Sequence, residues 1–303
     1  MSVGVAGRVV LVTGGGKGLG RAFALDLASR GARVVVNNRN RVVDADGRGP
    51  ADHVVAEILS AGGDAVADHH DVTDPRSGTR MVDTALDRYS RLDAIVASAG
   101  ISQPAVLHRS SVEDVGAVLD VNFTGALRVV LAGLEAFRQQ GHGRVVLVAS
   151  TGGLYGEAGL GAYTASKGAM IALGRTLAQE GPRYGVHTNV LLPYATTQMT
   201  EEDMPPGLAV RMDPALVAPV VTALLDPDCL INGRMLVAGG GGLRVADIVE
   251  GATVPLSGGP LDAAGLADLV ARSDAALPDR HGTSSDAFRG LLADLDRLVT
   301  DVP

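Results

Sequence analysis

The stretch TGGGKGLGRAFALDLASRGARVVVNNRN, Thr13 to Asn40, decides the fold. Its glycines directly follow the apolar run RVVLVT, residues 8–13. A segment of helical periodicity then leads into a second apolar run, RVVVN. A strand that turns over glycines into a helix and returns as a strand predicts a βαβ unit. One feature is unusual, because the second strand ends on Asn37, Asn38 and Arg39 and not on a carboxylate.

The same alternation continues along most of the chain. Further strands are predicted in DAVAD, LDAIVAS, GRVVLVAS, HTNVLLP and RMLVAG, and helices over residues 22–29, 51–61, 76–90, 112–140 and 162–184. Such alternation predicts an α/β fold, a doubly wound parallel sheet of the Rossmann type with helices on both faces. Nearly continuous Val, Leu and Ile in the runs suits strands that are covered on both sides.

The last 60 or so residues follow a different pattern. We predict a dinucleotide-binding and catalytic domain over residues 1–242 and a helical extension over 243–303, packed on the domain or on a partner subunit. Leu261, Leu266 and Leu269 mark one amphipathic helix of this extension, and Phe288 and Leu291 begin the apolar face of another. The glycine run 239–242 before it is predicted to be a flexible loop.

Composition excludes several classes of protein. The net charge of −8 and the pI near 5.3 give no general reason to bind nucleic acid or an anionic membrane surface. No uninterrupted apolar run approaches the roughly 18 residues of a membrane span. The single cysteine, Cys229, excludes an internal disulfide, and the start of the chain lacks a secretory pattern, so we expect a cytoplasmic protein.

The glycine spacing predicts a nucleotide site. In the G-x-x-x-G-x-G pattern, Gly14 allows the tight turn, Gly18 lets a pyrophosphate approach the backbone, and Gly20 lets helix and strand pack closely. The start of the following helix offers free N–H groups to the phosphates. Asp71, after the third strand, is placed to contact the adenine ring. No metal is expected, since His69 and His70 beside it lack another ligand at metal spacing.

A second group of residues predicts proton chemistry. Tyr163 and Lys167 stand at i and i+4 and therefore share one face of a helix, with Ser150 thirteen residues before the tyrosine. A lysine ammonium in this position is expected to lower the pKa of the phenol, so that the phenol serves as an acid or base. Ser150 would bind a carbonyl oxygen, and Asn122 would hold a water.

In this order, the glycine motif and these four residues resemble the short-chain dehydrogenase/reductase family over nearly all of residues 7–240. The resemblance implies that Tyr163 is the catalytic acid/base, that Lys167 also binds the nicotinamide ribose, that Ser150 orients the substrate carbonyl and that Asn122 supports a proton relay. The candidate cofactor-binding residues are then Gly14, Lys17, Gly18, Leu19, Gly20, Asn38, Arg39, Asp71, Val72, Ala99, Gly100, Tyr163, Lys167, Pro193 and Thr196.

Inside that family the chain is similar to the (3R)-hydroxyacyl-CoA dehydrogenase unit of peroxisomal multifunctional enzyme type 2. The likeness rests on the stretches RVVLVTGGGKGLGRAFALDLASRGARVVVN, TGGLYGEAGLGAYTASKGAM and PYATTQMTEEDMP, and on the helical tail. It implies a β-ketoacyl or (3R)-hydroxyacyl thioester as substrate and a homodimer, with a homotetramer as the alternative. We expect Leu154, Tyr155 and the loop 193–204 to form the substrate pocket, whose apolar lining also suits a polyketide or a steroid-like ring.

Two departures from the family pattern bear on the cofactor. The usual NNAG after the fourth strand is ASAG, residues 97–100, and we expect Ser98 to replace only part of the lost hydrogen bonding. Asn38 stands where relatives carry the aspartate that binds the ribose of NAD. Without that carboxylate, Arg39 and Lys17 are able to bind a 2′-phosphate, so NADP(H) is favoured over NAD(H).

Alternatives remain open on sequence grounds. Asn38 is able to bind a plain ribose while Arg39 and Arg41 point into solvent. The rival function is that of a non-catalytic nucleotide sensor or scaffold with the same fold.

Overall fold

The predicted strands form one sheet in the computed structural model, which describes residues 4–39, 43–198, 206–256 and 259–300. The strands are β1 (Val9–Thr13), β2 (Arg33–Asn37), β3 (Asp64–Asp68), β4 (Ala94–Ala97), β5 (Gly143–Val148), β6 (Val186–Pro193), β7 (Met235–Gly239) and β8 (Gly242–Ala246). Their order is β3-β2-β1-β4-β5-β6-β7-β8. The strands from β1 to β7 pair in parallel, with Leu11 opposite both Val35 and Ile95.

This order confirms the predicted doubly wound sheet. The chain moves outward from β1 to β3 on one side, then crosses to β4 and moves outward on the other. The loops after β1 and β4 therefore diverge and leave a crevice at the carboxyl ends of the strands, where such folds bind ligands.

Helices cover both faces of the sheet. They are α1 (Gly18–Ser29), α2 (Pro50–Ser60), α3 (Ser77–Tyr89), α4 (Val112–Leu119), α5 (Gly125–Gln140), α6 (Gly152–Tyr155), α7 (Gly161–Glu180), α8 (Pro206–Ala209), α9 (Ala218–Leu225), α10 (Ala263–Asp274) and α11 (Ser284–Thr300). Helix α1 contacts α2 and α9, whereas α3 contacts α5 and α4 contacts α7. Alternate strand residues point to opposite faces, so both sides of the sheet are packed.

The predicted helix over residues 112–140 is not one regular helix. A π-helical turn, Asp120–Thr124, separates α4 from α5 and places Asn122 in the interior. Such a turn adds a residue to the helix and often marks a functional site. Helices α6, α8 and α9 were not predicted, because the first two are single turns and the third follows a Pro-rich segment.

The glycine run 239–242 is a hairpin and not the flexible loop predicted from the sequence. Gly240 and Gly241 have φ of +56° and +78° and turn the chain from β7 back into β8. A two-residue hairpin of this kind needs positive φ at both central positions, which glycine adopts without strain.

Two segments, Val112–Gln140 and Gly207–Leu225, are long and apolar enough to cross a membrane by length and composition. Both also supply core residues: Val129 and Phe137 from the first, Val221 and Leu224 from the second, are buried. Core helices of globular domains pass the same test, so neither segment by itself indicates a membrane span.

The chain divides into two compact units, Met1–Val245 and Ala246–Pro303. Helices α10 and α11 of the second unit confirm the amphipathic helices predicted there. Within that unit the Thr253 hydroxyl donates to Asp294 at 2.7 Å, and Glu250 bridges to Asp279 in an antiparallel arrangement. Its packing on the domain or on a partner subunit stays a prediction.

Candidate active site

The glycine loop between β1 and α1 forms one wall of the crevice. Gly14 and Gly18 have φ of +67° and +51°, and a Cβ at Gly14 would lie 2.9 Å from the Ala99 Cα. A Cβ at Gly20 would collide with the Gly14 carbonyl oxygen. Side chains are therefore excluded where the loop turns and where α1 meets it. Lys17, the N-cap of α1, makes no side-chain capping bond, so the first N–H groups of the helix are left for an anion.

A groove of about 540 Å³ begins at this loop and runs along the carboxyl edge of the sheet. It joins the glycine wall to the residues predicted to do chemistry, Ser150, Tyr163 and Lys167. Its remaining lining includes Leu19, Asn38, Ser98, Ala99, Gly100, Ser102, Thr151, Leu160, Pro193, Tyr194, Thr197, Gln198, Leu208 and Met212. The nucleotide motif and the predicted catalytic group thus share one groove.

Three side chains meet where β5 ends against α7. The Lys167 ammonium donates to the Val148 carbonyl oxygen at 2.9 Å and lies 5.5 Å from the centre of the Tyr163 ring. The Ser150 hydroxyl accepts from the Gly152 amide at 3.1 Å, and its proximity to the Tyr163 phenol lowers the pKa of that phenol. The two hydroxyls are therefore able to meet one carbonyl oxygen, which is the arrangement needed for acid catalysis at a carbonyl.

Burial sets the proton affinities of this group. It lowers the pKa of Lys167 to about 8, because the ammonium is removed from water and has no carboxylate partner in the described structure. Burial raises the pKa of Tyr163, and the hydrogen bond from Ser150 lowers it only in part. The sequence-based expectation of a lowered phenol pKa is therefore wrong for the protein alone, since desolvation outweighs the effect of Ser150.

Asn122 lies behind the groove and is fully buried. Its side-chain oxygen accepts from the Ile101 amide at 2.8 Å, and its amide donates to the Ile101 carbonyl and to the Ser166 hydroxyl, both at 2.9 Å. The Ser166 hydroxyl in turn donates to the Tyr163 carbonyl at 2.6 Å. Both amide hydrogens are thus used within the protein. The predicted water could not also be held through them, and the side chain serves to tie the π-helical turn to α7.

The loop after β4 is braced from β1. The buried Thr13 hydroxyl oxygen accepts from the amides of Ser98 and Ala99, at 3.1 Å each. The Ser98 side chain makes no hydrogen bond within the described residues, contrary to the expectation that it replaces part of the asparagine bonding. Backbone amides and one threonine hold the loop in place of the missing side chains.

Asn37, the last residue of β2, has a structural role. Its amide donates to Asp68 at 2.7 Å and to the His70 carbonyl at 2.9 Å, which ties β2 to the end of β3. Asp68 is buried and also accepts from the His70 ring and from Thr84. A carboxylate at residue 37 would face Asp68, so an amide is required there.

Asn38 and Arg39 line a side cavity of about 240 Å³ next to the glycine loop, together with Lys17, His70 and Val72. Arg39 lies 3.0 Å from Asp71 in an ion pair. Burial raises the pKa of Asp71, but hydrogen bonds from the Thr73 amide and from Arg39 outweigh it and leave the pKa lowered. Arg39 is therefore turned toward the cavity wall and not into solvent, whereas Arg41 lies outside the described residues.

Among the predicted contacts, Leu154, Tyr155 and Thr196 are not among the described residues that line the groove or the side cavity. Tyr155 is 80% exposed, and Leu154 precedes it on the same short helix, so their contact with a substrate stays a prediction. The Thr196 hydroxyl donates to the Ala209 carbonyl at 3.1 Å, and Thr197 takes the place expected for it. Part of the predicted loop, residues 199–204, lies outside the described residues.

Other lining residues were missed from the sequence. Leu160 precedes α7, and Leu208 and Met212 lie beyond the predicted loop 193–204, whose Tyr194 does line the groove. Only Leu160 had a usable signal, since it lies three residues before Tyr163. In the described part of the chain no group of three or more His, Cys, Asp or Glu residues is placed to hold a metal ion. His69 and His70 are instead paired with Asp52 and Asp68.

Comparison with known proteins identifies similar chains. The family described as short chain dehydrogenase matches residues 8–206. A short-chain type dehydrogenase/reductase of Mycobacterium tuberculosis is 42% identical over 240 residues, which are 78% of this chain and 84% of that protein. A short chain dehydrogenase from Mycobacterium avium has a similar crystal structure, with a TM-score of 0.80 at 34% identity, covering 91% of this chain and 98% of that one.

A longer protein is also similar. Peroxisomal multifunctional enzyme type 2 of Drosophila melanogaster is 39% identical over 247 residues, which are 81% of this chain but only 41% of that enzyme. The structure of the full-length enzyme matches with a TM-score of 0.80 and 33% identity, and the match covers 97% of this chain and 50% of that one. The chain thus spans no more than half of this relative.

Proposed function

This chain belongs to the short-chain dehydrogenase family, an oxidoreductase family, and from that premise we propose that it reduces a ketone, or oxidises the matching alcohol, with NADP(H). The observation that carries the proposal is the single groove with the glycine loop at one end and Ser150, Tyr163 and Lys167 at the other. A nucleotide motif without this group would bind, but it would have no proton donor for a carbonyl.

The described residues fit a dinucleotide. The glycine loop excludes side chains where a pyrophosphate would approach, and the uncapped start of α1 offers it N–H groups. Lys167 faces the groove one turn from Tyr163 and would bind the nicotinamide ribose. When bound, the cofactor supplies or accepts the hydride, and that chemistry belongs to the cofactor itself.

The residues of this chain handle the substrate and the proton. The Ser150 hydroxyl and the Tyr163 phenol bind the carbonyl oxygen, and in the direction of reduction the phenol gives it a proton. The raised pKa of Tyr163 keeps the phenol protonated near neutral pH, as an acid requires. Lys167 stabilises the phenolate that is left, since its ammonium lies 5.5 Å from the ring centre.

For the cofactor, the absence of a carboxylate at Asn38 and the presence of Lys17 and Arg39 in the same cavity support NADP(H). For the substrate, the apolar side chains of Leu160, Leu208 and Met212 suit an acyl chain. The similarity to the multifunctional enzyme supports a β-ketoacyl thioester as first choice. We place the enzyme in the cytoplasm as a homodimer or homotetramer.

The test is the oxidation of reduced nicotinamide, followed by absorbance, when the purified protein meets acetoacetyl-CoA with NADPH or with NADH. Turnover that prefers NADPH is expected. Preference for NADH would contradict the cofactor assignment alone. Binding of both cofactors without turnover on this substrate or on polyketide-like and cyclic ketones would contradict the enzyme proposal and favour a nucleotide sensor.

Two variants sharpen that experiment. Tyr163→Phe removes the proton donor and keeps the ring, so cofactor binding should persist while turnover falls by at least about 100-fold. Arg39→Glu places a negative charge in the side cavity and should weaken NADPH while sparing NADH. Equal loss of both cofactors in Arg39→Glu would contradict the role of Arg39.

A further inference from the structure

The side cavity contains a charge arrangement that the predicted adenine contact does not explain. Asp71 is not among the described residues that line this cavity, whereas its partner Arg39 is. One carboxylate oxygen accepts from Arg39 at 3.0 Å, and the other accepts from the Thr73 amide at 3.0 Å and the Thr73 hydroxyl at 2.9 Å. Asp71 is thus fixed by its own turn and stands behind the arginine.

The arginine is only partly used in this pair. Within the described residues, its one hydrogen bond is from the Nη1 atom to Asp71, although a guanidinium carries five N–H donors. The other N–H groups of the guanidinium are therefore able to bind a phosphate on the cavity side. Arg39 and Asp71 are 29% and 31% exposed, so water screens the pair in part but does not remove it.

From this geometry, and resting on the proposed function, we propose that Asp71 sets the cofactor preference by holding Arg39 in an ion pair that a 2′-phosphate must share. The carboxylate weakens NADP(H) relative to NAD(H), because it takes one donor of the arginine and sets a negative charge behind it. Lys17 and His70 face the same cavity, and the Lys17 ammonium has no hydrogen bond or ion pair within the described residues. The positive charge of Lys17 is therefore not offset by a carboxylate within the described residues, whereas that of Arg39 is offset by Asp71.

Asp71 also has an opposing effect, since it holds Arg39 in place and so reduces the entropy lost on phosphate binding. A single hydrogen bond to a partly exposed side chain orders it only in part. The Asp71 carboxylate offsets the positive charge of the guanidinium and competes with the phosphate for its N–H donors, so its effect acts through Arg39. We therefore expect the charge to dominate, and removal of the carboxylate to increase affinity for the 2′-phosphate.

The experiment compares 2′,5′-ADP with 5′-AMP, which differ only in the 2′-phosphate, by calorimetric titration of the full chain. The Kd of Asp71→Asn for 2′,5′-ADP should be about tenfold lower than that of the wild type. Binding of 5′-AMP should change by less than about threefold. In the Arg39→Ala background, the same Asp71→Asn change should raise 2′,5′-ADP affinity by no more than about threefold.

Asp74→Asn is the matched control. Asp74 lies in the same turn and pairs with Arg80 at 3.1 Å, so the variant removes an equal charge without touching Arg39. Its 2′,5′-ADP affinity should stay near that of the wild type. If Asp71→Asn fails to fold, Asp71→Ser serves the same test, because a serine hydroxyl is able to keep a bond to Thr73.

Several results would overturn the proposal. These are a fall in 2′,5′-ADP affinity in Asp71→Asn, an equal change for both fragments, the same gain without Arg39, or the same gain in Asp74→Asn. Failure of the proposed function looks different: a protein that binds no dinucleotide would bind neither fragment in its wild-type form, and a nucleotide sensor would bind them but turn over no ketone. A wild type that prefers NADH would contradict the cofactor assignment but leave the change in Asp71→Asn as a valid test.

Discussion

Lys167 is anchored to the Val148 carbonyl at 2.9 Å, although only 5% of the lysine is exposed. The contact joins helix α7 to the end of β5 and fixes the ammonium beside the Tyr163 ring. A carbonyl dipole compensates a buried charge less than a carboxylate does. The charged form of Lys167 is therefore maintained at a cost in stability, and its titration lies in an accessible pH range.

That titration predicts the pH profile of the reaction. With the pKa of Lys167 lowered to about 8, kcat/KM for carbonyl reduction should fall about tenfold per pH unit well above pH 8, as the ammonium that stabilises the phenolate is lost. Tyr163, whose pKa is raised, stays protonated over this range. The profile is measured from pH 6 to 10 with NADPH and a ketone substrate.

Stability should move in the other direction, which separates the two effects. The ordinary pKa of lysine is 10.5, so between about pH 8 and 10.5 the unfolded chain binds more protons at this residue than the folded chain. The contribution of Lys167 to the free energy of unfolding therefore rises with pH. A flat kcat/KM up to pH 9.5, or a fall that parallels thermal unfolding, would be inconsistent with this assignment.

The Ser166 hydroxyl links Asn122 to the backbone of Tyr163, and we expect Ser166→Ala to lower the free energy of unfolding by about 1–3 kcal/mol. The loss arises because a buried amide and a buried carbonyl each lose a partner. Denaturant titration measures it, and kcat should fall with KM little changed because the tyrosine shifts. Ser60→Ala is the control, since the Ser60 hydroxyl makes the same kind of bond, to the Glu57 carbonyl at 2.8 Å, on an exposed helix. A similar loss in both variants would show that burial of the link is irrelevant.

Thr13→Val keeps the shape of the side chain but leaves the amides of Ser98 and Ala99 without their acceptor. We expect a loss of about 1–3 kcal/mol in unfolding free energy and weaker dinucleotide binding, because the loop after β4 lines the groove. Thr13→Ser restores the acceptor and should recover most of both. The contrast is measured by denaturant titration and by calorimetry. Unchanged unfolding free energy and dinucleotide affinity in Thr13→Val would contradict the bracing role of Thr13.

Gly20→Ala tests the contact between α1 and the glycine loop. The added Cβ would collide with the Gly14 carbonyl oxygen, so the loop must shift and dinucleotide affinity should fall at least about tenfold. Gly116→Ala in α4 is the control, because a Cβ there meets nothing within 4 Å. That variant should keep its affinity and gain up to about 1 kcal/mol of stability from helix propensity. Equal affinity in the two variants would contradict the close-packing role of Gly20.

Sheet, helices and glycine loop could be predicted because they depend on local patterns. Each strand is a run of Val, Leu or Ile, and the spacing of Tyr163 and Lys167 fixes their common face on α7. The π-helical turn Asp120–Thr124 was missed because its sequence, DVNFT, keeps an ordinary helical pattern. What distinguishes it is the tertiary bonding of Asn122, which no local pattern contains.

Errors in the site have a similar origin. The ion pair between Arg39 and Asp71 joins residues 32 positions apart, and the sequence analysis assigned them to separate contacts. The direction of the Tyr163 pKa was wrong because a helical spacing shows the neighbouring charge but not the depth of burial. Leu154 and Tyr155 lie close to Ser150 in the chain, yet the short helix α6 turns Tyr155 outward.

The bracing of the β4 loop by Thr13 also bears on how this protein tolerates mutation. Ordinarily the residues of a loop carry the bonds that shape it, and their replacement changes the loop. In this chain the acceptor belongs to another strand and the donors are main-chain amides, which every residue except proline provides. Residues 98 and 99 are thus freed from a bonding role, and selection for an intact loop falls on a position 85 residues earlier in the chain. Substitutions at residues 98 and 99 therefore cost little stability as long as residue 13 is a threonine or a serine.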